Sequence, residues 1–176
     1  MDNKSQGYLQ KLNQKLDQLF KELDQYAEAE LNQSPKQGAW SVMDILHHLK
    51  LVEFHANAYV KKKLSFDPDL PKIDFQSKMR ATLMNAFNRS PLKRKAPKAV
   101  AENSFPKDVP FQDLKQQWLA QRKDLEQHLL SLPEDLYHKQ VYKHPFAGRM
   151  SLSGMLSFFD SHFDRHHRQI RRTLGK

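Results

Sequence analysis

Nine histidines and no cysteine in 176 residues narrow the chemistry before any element is assigned. The histidines stand at positions 47, 48, 55, 128, 138, 144, 162, 166 and 167. Without cysteine there is no disulfide, no thiolate ligand and no cysteine nucleophile. A metal would be held by His, Asp or Glu, and a reacting thiol would come from outside the chain. His162 and His166 are four apart, which on a helix stacks two imidazoles along one edge. Two such nitrogens can chelate one divalent ion. A third imidazole from a facing helix then completes a set that leaves positions open for water or substrate, as catalytic sites require. The plainer reading of the same residues is a hydrogen-bonded core edge.

The elements that must position these rings follow from apolar spacing. Leu9, Leu12, Leu16, Leu19, Phe20, Leu23 and Tyr26 recur at three and four residues and predict a first helix from about Lys4 to Leu31. Ser34, Pro35 and Gly38 break it. Ser41, with Asp44 three residues on, reads as a capping box opening a second helix from Val42 to about Leu64. A shorter helix is expected over Phe75–Asn88, then a basic, proline-bearing excursion from Pro91 to Pro110. Leu114, Trp118, Leu125 and Leu129 mark a third long helix, Phe111 to Leu132. A turn-rich connection with a short hairpin covers Leu136–Arg149. Ser151 caps the last helix, which runs to about Leu174 with Gly175 beyond it.

Helical phase sorts the histidines. In the second helix Ile45, Leu49, Val52 and Ala56 centre the apolar stripe. His48 falls at its edge and His47 lies toward solvent, while Asp44, His55 and Tyr59 share the flank of His48. In the last helix Leu152, Leu156, Phe159, Phe163 and Ile170 form the stripe. His162, His166 and Gln169 lie along one edge and His167 along the other. Trp40 and Trp118 read as core anchors.

The composition agrees with an all-α chain: 5 glycines, with abundant Leu, Lys, Gln, Asp and Glu. The expectation is one domain over 1–176, a four-helix bundle with a long crossover between helices two and three. No run reaches the ~18 apolar residues of a membrane span, and the start is no signal peptide. A soluble, cytoplasmic protein without a membrane partner is therefore expected. The net charge is +9, concentrated in Pro91–Lys98 and Arg165–Arg172. It fits nucleic acid, a membrane surface, an anionic small molecule or only a solvated surface.

Ala39–Leu49, AWSVMDILHHL, resembles the W-S-x-x-x-x-L-x-H-L signature of the DinB-like (YfiT-type) metalloenzyme superfamily. His144–Arg172 is similar to its other hallmark, an HP-x-x-G connection leading into a helix with H-x-x-x-H-x-x-Q-I. The two motifs come in the family's order, and the outline covers essentially the whole chain. The resemblance implies a four-helix bundle in which His48, His162 and His166 hold a divalent ion, the same three rings that phase selects. It makes His47 and His167 bystanders. Members include S-transferases and isomerases using low-molecular-weight thiols such as bacillithiol, and proteins described as metal-dependent hydrolases.

The expected function is thus metal-dependent activation of water or of an external thiol, acting on a small-molecule substrate. Zn or Ni is expected first, with Fe or Cu also compatible with three imidazoles. Around the ligands, Gln169 is a candidate to orient a ring or bound water. Asp44 serves the helix start, and Glu53 lies on the wrong flank for a general base. His144 is a turn residue before Pro145 or, alternatively, an acid or base closing over the pocket. The competing class is a non-catalytic, metal-stabilised protein that binds nucleic acid or another anionic partner. The basic stretch has no interleaved aromatics for base stacking, which counts against nucleic acid. A homodimer is the only assembly anticipated.

Overall fold

Leucines spaced three and four apart bury one face of each long helix, and the computed structural model shows how those faces meet. It describes residues 1–92, 96–106 and 108–176. Among them lie α1 (Asn3–Leu23), α2 (Glu28–Asn32), α3 (Val42–Leu64), α4 (Phe75–Arg89), α5 (Phe111–Ser131) and α6 (Leu152–Thr173). A hairpin of β1 (Tyr142–His144) and β2 (Gly148–Met150) precedes α6. The starts of α3 and α6 are those the caps predict: Ser41 accepts from Asp44 N, and Ser151 from Gly154 N.

The first helix departs from expectation. It ends at Leu23 rather than Leu31, and a turn leads into the separate α2. In a continuous helix Leu31 would stand about 20° from Phe20, at the edge of the apolar stripe, so phase alone does not signal the break. The Glu30 carboxylate instead accepts from Ala27 N at 2.8 Å, starting α2. Packed against α3, this short helix delivers Leu31 fully buried into the core.

Helix directions can be read from the side chains that meet. Lys11 and Lys15 reach Asp160 while His167 reaches Glu22, so α1 and α6 run parallel. Glu53 meets Arg122 and Asn57 meets Asp124, so α3 and α5 are also parallel. Asn13 meets Arg122 while Asp24 meets Lys115, which sets α1 against α5 in opposite directions. The ring closes because α6 packs on α1 and α3, and α5 on α3 and α1. Parallel neighbours cannot be joined by a short turn, so residues 65–110 form the long crossover expected between the second and third long helices. That crossover contains α4, laid against α6.

The core is leucine-rich around two aromatic centres. Trp118 is fully buried with Phe20 at its edge, ring centroids 5.8 Å apart. Beside it sits a buried charge pair. Arg122 donates to both oxygens of Glu53, at 2.6 and 3.0 Å, and Trp118 Nε1 donates to the same carboxylate at 3.0 Å. Glu53 therefore faces the α3–α5 seam, on the flank of α3 away from His48, and is spent on structure.

Candidate metal centre

On the opposite flank of α3, the capping box sets the phase of His48. Ser41 N donates to Asp44 Oδ2 at 2.8 Å and Asp44 N to Ser41 Oγ at 3.1 Å, so Asp44 serves the helix start. One turn further, His48 faces the edge of α6 that carries His162 and His166. The three rings come together: one ligand nitrogen from each lies within 4.8 Å of the others.

The hydrogen bonds at the far nitrogens decide what the near ones can do. His48 Nδ1 lies 2.7 Å from the Val100 carbonyl oxygen, which can only accept, so Nδ1 carries the proton. His166 Nδ1 meets Gln169 Oε1 at 3.0 Å, placing its proton there too. Both Nε2 atoms then present lone pairs. They point at His162 Nε2, at 3.3 and 3.1 Å. That nitrogen supplies at most one proton, so lone pairs face one another with too few hydrogens between them. Nitrogens bonded at ~2.0–2.1 Å to one divalent ion would themselves stand about 2.9–3.4 Å apart. The donor set fits a metal better than it fits hydrogen bonding alone.

Electrostatics keeps the rings neutral, as ligands must be. Burial pushes the proton affinity of His162 well below the usual imidazole range, and neighbouring His166 and His48 push it further. Burial lowers His166 to about 3, against an opposing bond from Gln169. Burial also lowers His48, despite the Val100 carbonyl. His48 and His166 are buried, whereas His162 keeps part of its surface accessible.

Aromatic rings wall the centre. Phe158, one turn before His162, stacks on its ring at 5.1 Å. Trp40, packed against the core as expected, also lines the site: it lies against His48 at 5.1 Å and stacks with His166 at 6.5 Å. From the crossover, Phe105 packs edge-on against Trp40. Phe105 also corrects the expectation for His47. That residue is buried, stacked under Phe105 at 6.0 Å, because the crossover lies across the outer flank of α3. It stays outside the three-ring cluster.

His144 is more than a turn residue. It is buried, its ring edge-on to Phe158 at 4.5 Å, and its Nδ1 accepts from Phe146 N and Ala147 N at 3.2 and 3.0 Å. It thus braces the hairpin against the wall behind His162. The remaining histidines lie elsewhere. His55 is exposed beside Phe54, His128 bonds Asn57, His138 is exposed, and His167 pairs with Glu22. Tyr59 packs edge-on against Tyr142.

Of the two basic stretches, Lys93, Arg94 and Lys95 lie outside the described residues. In the C-terminal stretch, Arg165 donates to the Ser90 and Leu92 carbonyls and Arg168 to that of Asn88. These arginines hold the end of α4 to α6. Sequence reasoning missed Val100, Trp40 and Phe158 as parts of the site. The tryptophan carried a signal in its place within the W-S motif, whereas a backbone carbonyl carries none.

Comparison with known proteins agrees with this picture. The model of the DinB superfamily matches residues 8–170. A Bacillus subtilis (strain 168) protein, described as uncharacterized protein YuaE, is 25% identical over 158 residues, spanning 89% of this chain and 91% of its own. Among solved structures, YfiT from Bacillus subtilis is described as a probable metal-dependent hydrolase with an unusual four-helix bundle topology. It matches with a TM-score of 0.56 and 18% identity, over 99% of this chain and 90% of its own. That likeness establishes the shared fold.

Proposed function

Because the chain belongs to the DinB superfamily, we propose that it is a metal-dependent enzyme whose ion is held by His48, His162 and His166. The observation that carries the reading is the convergence of three imidazole Nε2 atoms, two of them stripped of protons by bonds at Nδ1. When bound, a divalent ion supplies a full double charge that acidifies water or an external thiol near neutral pH.

The rest is done by the chain. Val100 O and Gln169 Oε1 hold two rings in the ligating tautomer and orientation. Phe158 and Trp40 exclude water from one side and restrict the approach to the accessible edge of His162. No carboxylate is among the groups that shift the three imidazoles, whereas Arg165 adds positive potential at His162 and His166. A loaded site of this kind favours a nucleophile that ionises on arrival and a substrate with an electron-rich or anionic group.

Two reaction classes follow from the same centre: hydrolysis, the activity named for YfiT, and transfer of an external low-molecular-weight thiol to an electrophile. The deciding experiment is a turnover screen. Zn- or Ni-loaded protein is offered activated esters and amides, and electrophiles paired with several small thiols. Turnover that requires the metal and disappears in His162→Ala supports an enzyme, and the reacting partner separates hydrolase from transferase. Metal bound without turnover in either arm contradicts the catalytic reading.

A further inference from the structure

Helix α4 leaves a stripe of large apolar side chains uncovered. Its inner face meets the bundle through Met84 and a polar seam: Asn85 bonds Ser157 at 2.7 Å, Asn88 bonds Ser161 at 3.0 Å, and Ser77 is buried at its start. Its outer face is apolar, with Phe75, Met79 and Leu83 at i, i+4 and i+8, exposed by 78%, 44% and 61%. At 100° per residue these three fall within one stripe, and Lys78 and Arg89 flank one side of it. A run of three large apolar side chains left exposed along one helix, with basic residues at its edge, is shaped to be covered.

Charge says by what. Residues 75–101 contain no Asp or Glu, and neither do residues 136–159, which include the hairpin. The two segments are neighbours, because β2 packs on α4 with Arg80 against Gly148. On the hairpin, exposed Lys143 and Arg149 stand directly opposite each other, a like-charge pair that is unfavourable without a counter-charge. Among the described residues none of Lys78, Arg89, Lys143 or Arg149 has a carboxylate partner, whereas Lys11, Lys15, Lys61, Lys115 and Lys139 all do. The acid that adjoins α4, Asp74, is engaged as its N-cap, accepting from Ser77 N at 2.7 Å.

We propose that the outer face of α4, with the basic hairpin beside it, rests on an anionic phospholipid surface. Apolar side chains entering the headgroup boundary, edged by Lys and Arg that meet lipid phosphates, are what an interfacial helix presents. A second copy is a poor fit, since α4 has no acid to meet the Lys78 and Arg89 of its twin. Nucleic acid would leave Met79 and Leu83 without a role. Among the described residues no helix is long and apolar enough to cross a bilayer, whereas this face bears on lying against one.

The test is co-sedimentation of the full chain with vesicles of phosphatidylcholine alone or mixed equally with phosphatidylglycerol. Binding is expected only to the mixed vesicles, weakening as salt rises. Leu83→Glu weakens it roughly tenfold or more. The double variant Lys78→Gln with Arg89→Gln weakens it roughly twenty-five-fold, at about fivefold per charge. Both substitutions lie at exposed positions, and unchanged far-UV circular dichroism and metal content verify that the bundle is intact. The proposal is overturned by no binding to the mixed vesicles, by equal binding to both compositions, or by a Leu83→Glu variant that binds them as wild type does. It is also overturned if Leu83→Glu dissociates a dimer and leaves vesicle binding unmoved.

Discussion

The Glu53–Arg122 pair offers the sharpest energetic test of the bundle. Both side chains are 4% exposed, and the carboxylate takes two bonds from the guanidinium and one from Trp118. Glu53→Gln leaves the guanidinium charge buried beside a neutral amide. Arg122→Met leaves the carboxylate with a single N–H donor. Each is expected to cost about 3–5 kcal/mol, a large share of the roughly 5–15 kcal/mol that holds a domain folded. The double variant has no buried charge and keeps its volume, so it should lie within about 2 kcal/mol of wild type. Urea unfolding followed by circular dichroism closes the double-mutant cycle. All three variants should keep wild-type metal content, because Glu53 lies on the flank of α3 away from His48. Single losses below about 1 kcal/mol that simply add in the double variant would refute the reasoning. So would a loss of metal in Glu53→Gln that is not matched by unfolding.

Four further outcomes are expected. Gln169→Leu removes the acceptor that orients His166, so metal affinity should fall about 10–100-fold in a competition titration, with little change in the melting temperature of the metal-free protein. Chelation should lower the melting temperature, since metal at 100 times its Kd adds about 2.7 kcal/mol to the folded state; equal melting with and without chelator would contradict this. Ser41→Ala should cost about 1 kcal/mol by opening the capping box of α3, measured as a shift in the urea midpoint. His128 titrates below the ordinary imidazole value because of burial and then Lys61, so the unfolded chain takes up its proton first. Its contribution to stability is complete above about pH 6.5 and is lost as pH falls below that. Urea midpoints of His128→Gln should therefore decline less between about pH 7 and 5 than those of wild type.

Much of this site was legible because it is built from helix edges. Phase against Ile45 and Leu49 separates His48 from His47 in facing α6, and phase against Phe159 and Phe163 separates His166 from His167. Those relations are internal to each helix, and tertiary packing did not disturb them. What phase does not report is what the rest of the chain lays over a helix. His47 points away from the stripe and is nevertheless buried, because Phe105 crosses above it. The Val100 carbonyl that fixes the His48 tautomer comes from the same crossover and leaves no trace in side-chain pattern. The break after Leu23 was hidden for a related reason. Local propensity and apolar phase both continue through Gln25 and Ala27, and the cap that starts α2, Ala27 N donating to the Glu30 carboxylate, stands at a position where alanine gives no capping signal. In α4 the pattern predicts a helix but not that its apolar face looks outward.

His48, His162 and His166, and not the doublet neighbours His47 and His167, are expected to hold one ion. The most direct test is metal analysis of the protein after loading and removal of excess Zn or Ni, with substitutions in both histidine doublets. About one ion per chain is expected in wild type, His47→Ala and His167→Ala, with little or none in His48→Ala, His162→Ala and His166→Ala, all folded by circular dichroism. Metal retained at wild-type level in the last three, or lost equally in the first two, would contradict the account.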